Sequence, residues 1–163
     1  MKRKIFITMI CSMLIVFVLG QNKPASKAEI KAAKIEEQIQ SGCYEITVNQ
    51  VNPMNGGVRH LTPDYSVRIS GDSSLVYLPY FGRAYSAPMN GKGGIIITNI
   101  MADYKMSYNE KKKSYFIDFT AKGINDTYRF SVIVWANGSV SFQVTSNNRQ
   151  PIGYSGYLRL PDE

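Results

Sequence analysis

From Cys43 onward the chain alternates apolar and polar residues with a period of two, and this constrains its fold more than any other feature. In "CYEITVNQV", Tyr44, Ile46 and Val48 face one way and Glu45, Thr47 and Asn49 the other. "YSVRI" repeats the pattern with Tyr65, Val67 and Ile69, and "ADYKMSY" sets Tyr104, Met106 and Tyr108 inward against Asp103, Lys105 and Ser107. "SYFIDFTA" aligns Tyr115, Ile117 and Phe119, and "VSFQV" aligns Val140, Phe142 and Val144. Such segments are half-buried strands with one dry and one wet face. The joints "NPMNGG", "SGDSS", "NEKKK", "KGIND", "ANGS" and "SNNRQ" are short turn sequences,. Parallel crossovers need about a dozen residues, so neighbouring strands run antiparallel. Asn137-Gly138 predicts a type I′ hairpin turn,. The expectation is mainly β: an antiparallel meander of about eight or nine strands, barrel-like or sandwich, with one N-terminal helix.

Three segments, "LVYLPYF", "GIIITNI" and "TYRFSVIVW", are apolar on both faces. They suit central strands, a strand covered by the helix, or the inside of a closed barrel. A membrane-spanning barrel is disfavoured, because the outward faces carry Glu45, Arg68, Lys105, Asp118, Arg129 and Gln143 rather than an unbroken apolar band,.

The helix is expected over residues 26–41. Ser26 and Glu29 have capping-box spacing, Ala28, Ala32, Ile35 and Ile39 form a narrow stripe, and Gly42 supplies the stop,. A stripe this thin needs a larger body to lie against. Upstream, "MKRK" and the fifteen-residue apolar run from Ile5 to Leu19 read as a signal peptide over residues 1–20, with Val18 and Gly20 at the small-residue positions,. A spanning helix needs about 20 apolar residues, so the run is short for a permanent anchor, which is the alternative to cleavage, and no integral span is expected once it is cleaved. Cys11 lies mid-run behind "TMI" and is not read as a lipoprotein acceptor. Residues 21–25 form a linker, and residues 26–163 a single domain. The expected location is outside the cytoplasm, in the periplasm or cell envelope or beyond the cell.

With Lys2, Arg3 and Lys4 removed, the formal charge of +7 falls to +4. That supports weak contact with an anionic envelope surface and nothing more specific. No basic stripe tracks a phosphate backbone, so nucleic acid is not an expected partner. The turn "NEKKK" reads Lys111 to Lys113 as a solvated hairpin tip.

Catalytic chemistry finds few residues. His60 is the one histidine, too isolated for a zinc site and expected at an exposed strand end,. Cys43 is a lone thiol in the mature chain, read as a half-buried residue opening a strand,. A Cys43–His60 nucleophile–base pair lacks the strained turn or helix N-terminus that activates a thiol. Asp103, Asp118 and Asp126 fall on polar faces or turns, with no sign of converging carboxylates,. No catalytic residue, metal site or cofactor is assigned.

The stretch "VYLPYFGRAYSAPMNGKGG", Val76 to Gly94, differs in kind. Pro79 argues for a strand edge or bulge, Gly82 for a close backbone approach, and Pro88 for the end of any regular ladder. Arg83 is placed to tie down carbonyls at a sheet corner, or else to clamp a carboxylate or phosphate beside Tyr80 and Tyr85. The structural role is the favoured one. The candidate binding residues are Tyr80, Gly82, Arg83 and Tyr85, joined by Arg149 from "SNNRQ".

At "YLPYFGRAYSAP" the sequence resembles a family of exported bacterial proteins, domain of unknown function 4251, marked by Gly82, Arg83, Ala84 and Tyr85. The likeness extends through "PMNGG", "LTPDYSVRISGD", "NDTYRFSV" and "VTSNNRQPIGYSG", from the helix to Leu160. It implies no activity, because the family has none assigned. Met89 stands where an aromatic residue is expected, which weakens an aromatic ligand platform there. The function expected is a non-catalytic binding or scaffolding module. The alternatives are a carrier holding a small apolar ligand in a barrel cavity and, less favoured, an enzyme with an unrecognised site.

Overall fold

The computed structural model of the chain describes residues 26–62, 64–85, 93–124 and 126–161. The expected signal peptide and linker, and Pro88 and Met89 of the Val76–Gly94 stretch, lie outside the described residues. Among the described residues one helix, α1 (Lys27–Gln40), precedes nine strands: β1 (Cys43–Pro53), β2 (Arg59–His60), β3 (Ser66–Ser70), β4 (Ser73–Leu78), β5 (Ile95–Asn109), β6 (Ser114–Lys122), β7 (Thr127–Trp135), β8 (Ser139–Ser146) and β9 (Ile152–Arg159). Every pairing is antiparallel. Strands β3 to β9 follow in sequence order, and β9 returns to β1, so eight strands close a barrel. β2 is an extra two-residue strand beside β1, with His60 opposite Gln50. Of the two architectures left open by the sequence, the closed barrel is the one adopted.

The inward rows named by the alternation fill the barrel. Ile46, Val48, Val67, Ile117, Phe130 and Val134 are buried, and Phe119 stacks on Phe130 with ring centroids 4.6 Å apart. Phe142 stacks on Tyr154 at 5.1 Å. The helix closes one end. Its capping box is formed, with Ser26 N–H donating to Glu29 Oε2 and Glu29 N–H to Ser26 Oγ, and Gly42 follows at φ 68°. Ile35 and Ile39 are buried in the barrel core, worth roughly 1.5–3 kcal/mol each,. Ala32 is half-buried and Ala28 exposed, so the stripe is shorter than expected. The Gly138 α-carbon fits under the Ile35 Cδ1 methyl, because a β-carbon added there would lie 3.2 Å from it.

Strand β5 departs from expectation. Ile95, Ile97 and Met101 are buried, but the inward-facing Tyr104, Met106 and Tyr108 are 38%, 43% and 50% exposed. Two causes combine. β4 covers β5 only as far as Ile100, and beyond it β5 has β6 alone beside it. A bulge between Ala102 and Lys105, with Asp103 at φ 56°, inserts one extra residue and moves the inward set from odd to even positions,. Thr120 Oγ1 braces the bulge, donating to the Ala102 carbonyl at 3.0 Å.

Three further corrections follow. The β7–β8 turn has positive φ only at Gly138, and Gly138 N–H donates to the Trp135 carbonyl, so it is a type I turn with a glycine bulge rather than type I′,. Cys43 opens β1 but is exposed, because Tyr44 takes the inward face. Of the segments apolar on both faces, those on β4 and β5 leave Leu75, Tyr77, Ile96 and Ile100 exposed on the outer wall rather than covered by the helix, which packs at the barrel's end, while all three turn one row into the closed barrel.

Candidate functional site

The Tyr80–Tyr85 segment leaves β4 just before Pro79 and folds over the barrel end away from α1. There it meets the β8–β9 loop. Ala84 and Arg149 form an isolated antiparallel bridge, Tyr85 N–H donates to the Asn148 carbonyl at 2.8 Å, and Gln150 N–H donates to the Arg83 carbonyl at 3.0 Å. The Gln150 side-chain oxygen accepts from Arg83 N–H at 3.2 Å. The Tyr80 phenol faces two carbonyls, Arg83 at 2.8 Å and Gln150 at 3.0 Å, and its one proton is shared between them. Gly82 leaves room for this phenol: a β-carbon there would lie 2.5 Å from the Tyr80 hydroxyl and the ring would have to move.

The carbonyl-binding guanidinium expected of Arg83 belongs to Arg149. Its Nη1 donates to the Gly94 carbonyl at 3.2 Å and reaches the Gly93 carbonyl at 3.4 Å. Its Cζ lies 4.9 Å over the Tyr80 ring and 6.0 Å from that of Tyr128, in cation–π range,. Tyr154 adds a bond from its hydroxyl to the Pro79 carbonyl at 2.7 Å. Burial pushes the Tyr80, Tyr128 and Tyr154 phenols up from their ordinary range, with Arg149 pulling each of them back in part. The Tyr80 and Tyr154 hydroxyls therefore act as neutral donors. Arg83 contributes its main chain to the corner, and its side chain is exposed. Tyr85 is 63% exposed, and Phe81 carries Arg59 over its ring at 4.9 Å. Of the five sequence-predicted residues, Tyr80, Gly82 and Arg149 build the corner, and Arg83 and Tyr85 present side chains outward.

The remaining candidates stay apart. Cys43 opens β1 and His60 pairs with Gln50 farther along it, about 23 Å of strand away, so the two cannot act on one substrate atom,. Among the described residues no group of three or more His, Cys, Asp or Glu could hold a metal ion. No helix among them is long and apolar enough to cross a membrane.

One concavity was not foreseen. A groove of about 830 Å³ runs along the outer wall, from the turn after β1 across β8 and β7 to β6. Its residues come from distant stretches and meet only through strand register, so no local motif announces it.

A family model described as Domain of unknown function (DUF4251) matches residues 26–158. A solved structure of a DUF4251 family protein from Bacteroides eggerthii DSM 20697 is similar at TM-score 0.64 and 19% identity, covering 80% of this chain and 88% of that one. At that identity the likeness is one of fold. No curated protein matches the sequence.

Proposed function

This chain belongs to the DUF4251 family, and from that premise we propose that it is an exported, non-catalytic module of the cell envelope that binds its partner on the outer wall of the barrel. One observation carries the reading. The barrel interior is occupied by its own side chains, with Ile35 and Ile39 of α1 buried in the same core. The other end is crossed by the Arg149-tied corner. A ligand therefore meets the outside, where the groove and the exposed Arg83 and Tyr85 are found. The same packing weighs against a carrier of apolar ligands, which needs a hollow. The separation of Cys43 from His60 weighs against the nucleophile–base pair an enzyme could have used.

Export rests on the charged and apolar N-terminal run, which supports a periplasmic, envelope or extracellular location. The test joins fractionation with capture. The protein is expected outside the cytoplasm, retaining an envelope component that substitutions on the outer wall release. Recovery from the cytoplasm, or a lipid co-purifying inside the barrel and seen by native mass spectrometry, would overturn the reading.

A further inference from the structure

The outer-wall groove has a definite chemistry. Phe116 and Ile133 are register partners on β6 and β7, both half-buried, and form an apolar floor. The next row sets Asp118, Ser131 and Gln143 side by side across β6, β7 and β8. Ser131 Oγ donates to Asp118 Oδ1 at 2.6 Å, which fixes the exposed carboxylate against the wall. Small residues, Ser141 and Gly153, keep the trough deep, and Asn52 and Met54 in and after β1 form one side.

That lining discriminates among ligands. No lysine or arginine lines it, and Asp118 would repel an anion,. A purely apolar ligand would desolvate Asp118 and Gln143 without replacing their hydrogen bonds. An added peptide strand needs a free sheet edge, whereas β7 and β8 are paired on both sides,. A sugar fits. Its hydroxyls both donate and accept, matching serine, carboxylate and amide groups, and its C–H faces pack on apolar and aromatic side chains. The volume lies in the range of small-molecule sites, on the order of 300–1,000 Å³.

Resting on the reading of the barrel as an outer-wall binding module, we propose that this groove binds a neutral oligosaccharide of a few sugar units. Phe116 and Ile133 lie beneath the ring faces, and Asp118 and Gln143 hydrogen-bond the hydroxyls.

The experiment titrates the full chain calorimetrically with neutral hexasaccharides of the cello-, malto-, xylo- and chito-series, with a hexuronate as the charged comparison. At least one neutral series is expected to bind saturably. Asp118→Ala and Gln143→Ala should each weaken it roughly tenfold. Leu75→Ser, on β4, should leave it unchanged. Melting curves of all variants, and Asp118→Asn as a milder second substitution, separate lost binding from lost folding. Absence of binding by every neutral series, binding of the hexuronate alone, or an affinity that the groove substitutions leave intact would overturn the proposal. In each of those cases, continued capture of an envelope component by the outer wall would leave the broader reading standing, and loss of that capture as well would remove both.

Discussion

The Arg149 guanidinium lies 4.9 Å above the ring of Tyr80 while donating to the Gly94 carbonyl, so one side chain links β4, the start of β5 and the β8–β9 loop. The two residues are far apart in sequence, and between them they hold the barrel end opposite the helix. Arg149→Lys keeps the charge but loses the flat guanidinium that stacks on the Tyr80 ring while reaching the Gly93 and Gly94 carbonyls,. It should lower stability by about 2 kcal/mol. Arg83→Lys, whose side chain is exposed, should change melting by less than about 0.5 kcal/mol. Thermal unfolding of the two variants side by side checks the assignment, and the reverse order would return the clamp to Arg83.

Gly156 sits where β9 passes the β1 irregularity between Val48 and Gln50, and a β-carbon there would collide with the Thr47 backbone carbonyl. Backbone cannot yield as a flexible side chain can. Gly156→Ala is expected to cost about 3 kcal/mol or more, since it opens the seam that closes the barrel. Gly57→Ala, with open space around its α-carbon, should be mild by comparison. Denaturant midpoints of both variants measure the contrast.

Burial raises the Tyr44, Tyr128 and Tyr154 phenols above their ordinary range, and Tyr80 likewise. A group that holds its proton more tightly folded than unfolded contributes stability fully below its unfolded pKa, about 10 for tyrosine. That contribution is lost as the pH climbs from there toward the folded values. Stability should therefore fall above pH ~10, with phenolate absorbance from these tyrosines appearing together with loss of the β-sheet dichroism. Ionisation of all four in a still-folded barrel would contradict their placement.

Ile35→Ala should cost about 2–4 kcal/mol, because the methyls removed sit in packed core over the β7–β8 turn,. Ser26→Ala removes only the cap and should cost about 1 kcal/mol,. Chemical denaturation resolves the difference. Equal small effects would mean that α1 packs loosely against the barrel.

Asp103 holds the bulge at φ 56°. A β-branched residue resists that backbone, so Asp103→Val should cost about 1–2 kcal/mol, whereas Asp103→Gly should be close to neutral. The same melting assay reads both, and equal losses would assign the cost to the Asp103 carboxylate's contact with Thr120 rather than to the backbone.

Local chemistry made much of the fold legible. Alternation named the inward residues of β1, β3, β6 and β8, and the Ser26–Glu29 spacing named the start of α1. Even the β5 bulge leaves a trace, since Ile95 and Ile97 alternate in one phase and Tyr104 and Met106 in the other. Closure was not legible, because pairing Ile46 with Leu158 depends on total shear and not on either segment alone,. At the corner the carbonyl-binding guanidinium is that of Arg149, whereas the alternation and turn chemistry pointed to Arg83. Which guanidinium reaches Gly94 depends on how the loops cross, and both flanking sequences suit the task. The groove was invisible because Phe116, Ser131 and Gln143 become neighbours only when three strands register.

The seam between β1 and β9 also bears on the order in which the chain can acquire its structure. The first strand of the domain pairs not only with nearby β2 and β3 but also with β9 at the far end, and the surface that receives Ile35 includes the β7–β8 turn, roughly a hundred residues downstream. Of the described elements the helix leaves the ribosome first, and part of its seat is among the last to emerge. Contacts of such sequence separation are slow to form, because much of the chain must be ordered to bring their ends together. A barrel wired this way cannot close until its C-terminal strands are available, whichever of the sequential hairpins form earlier along the chain.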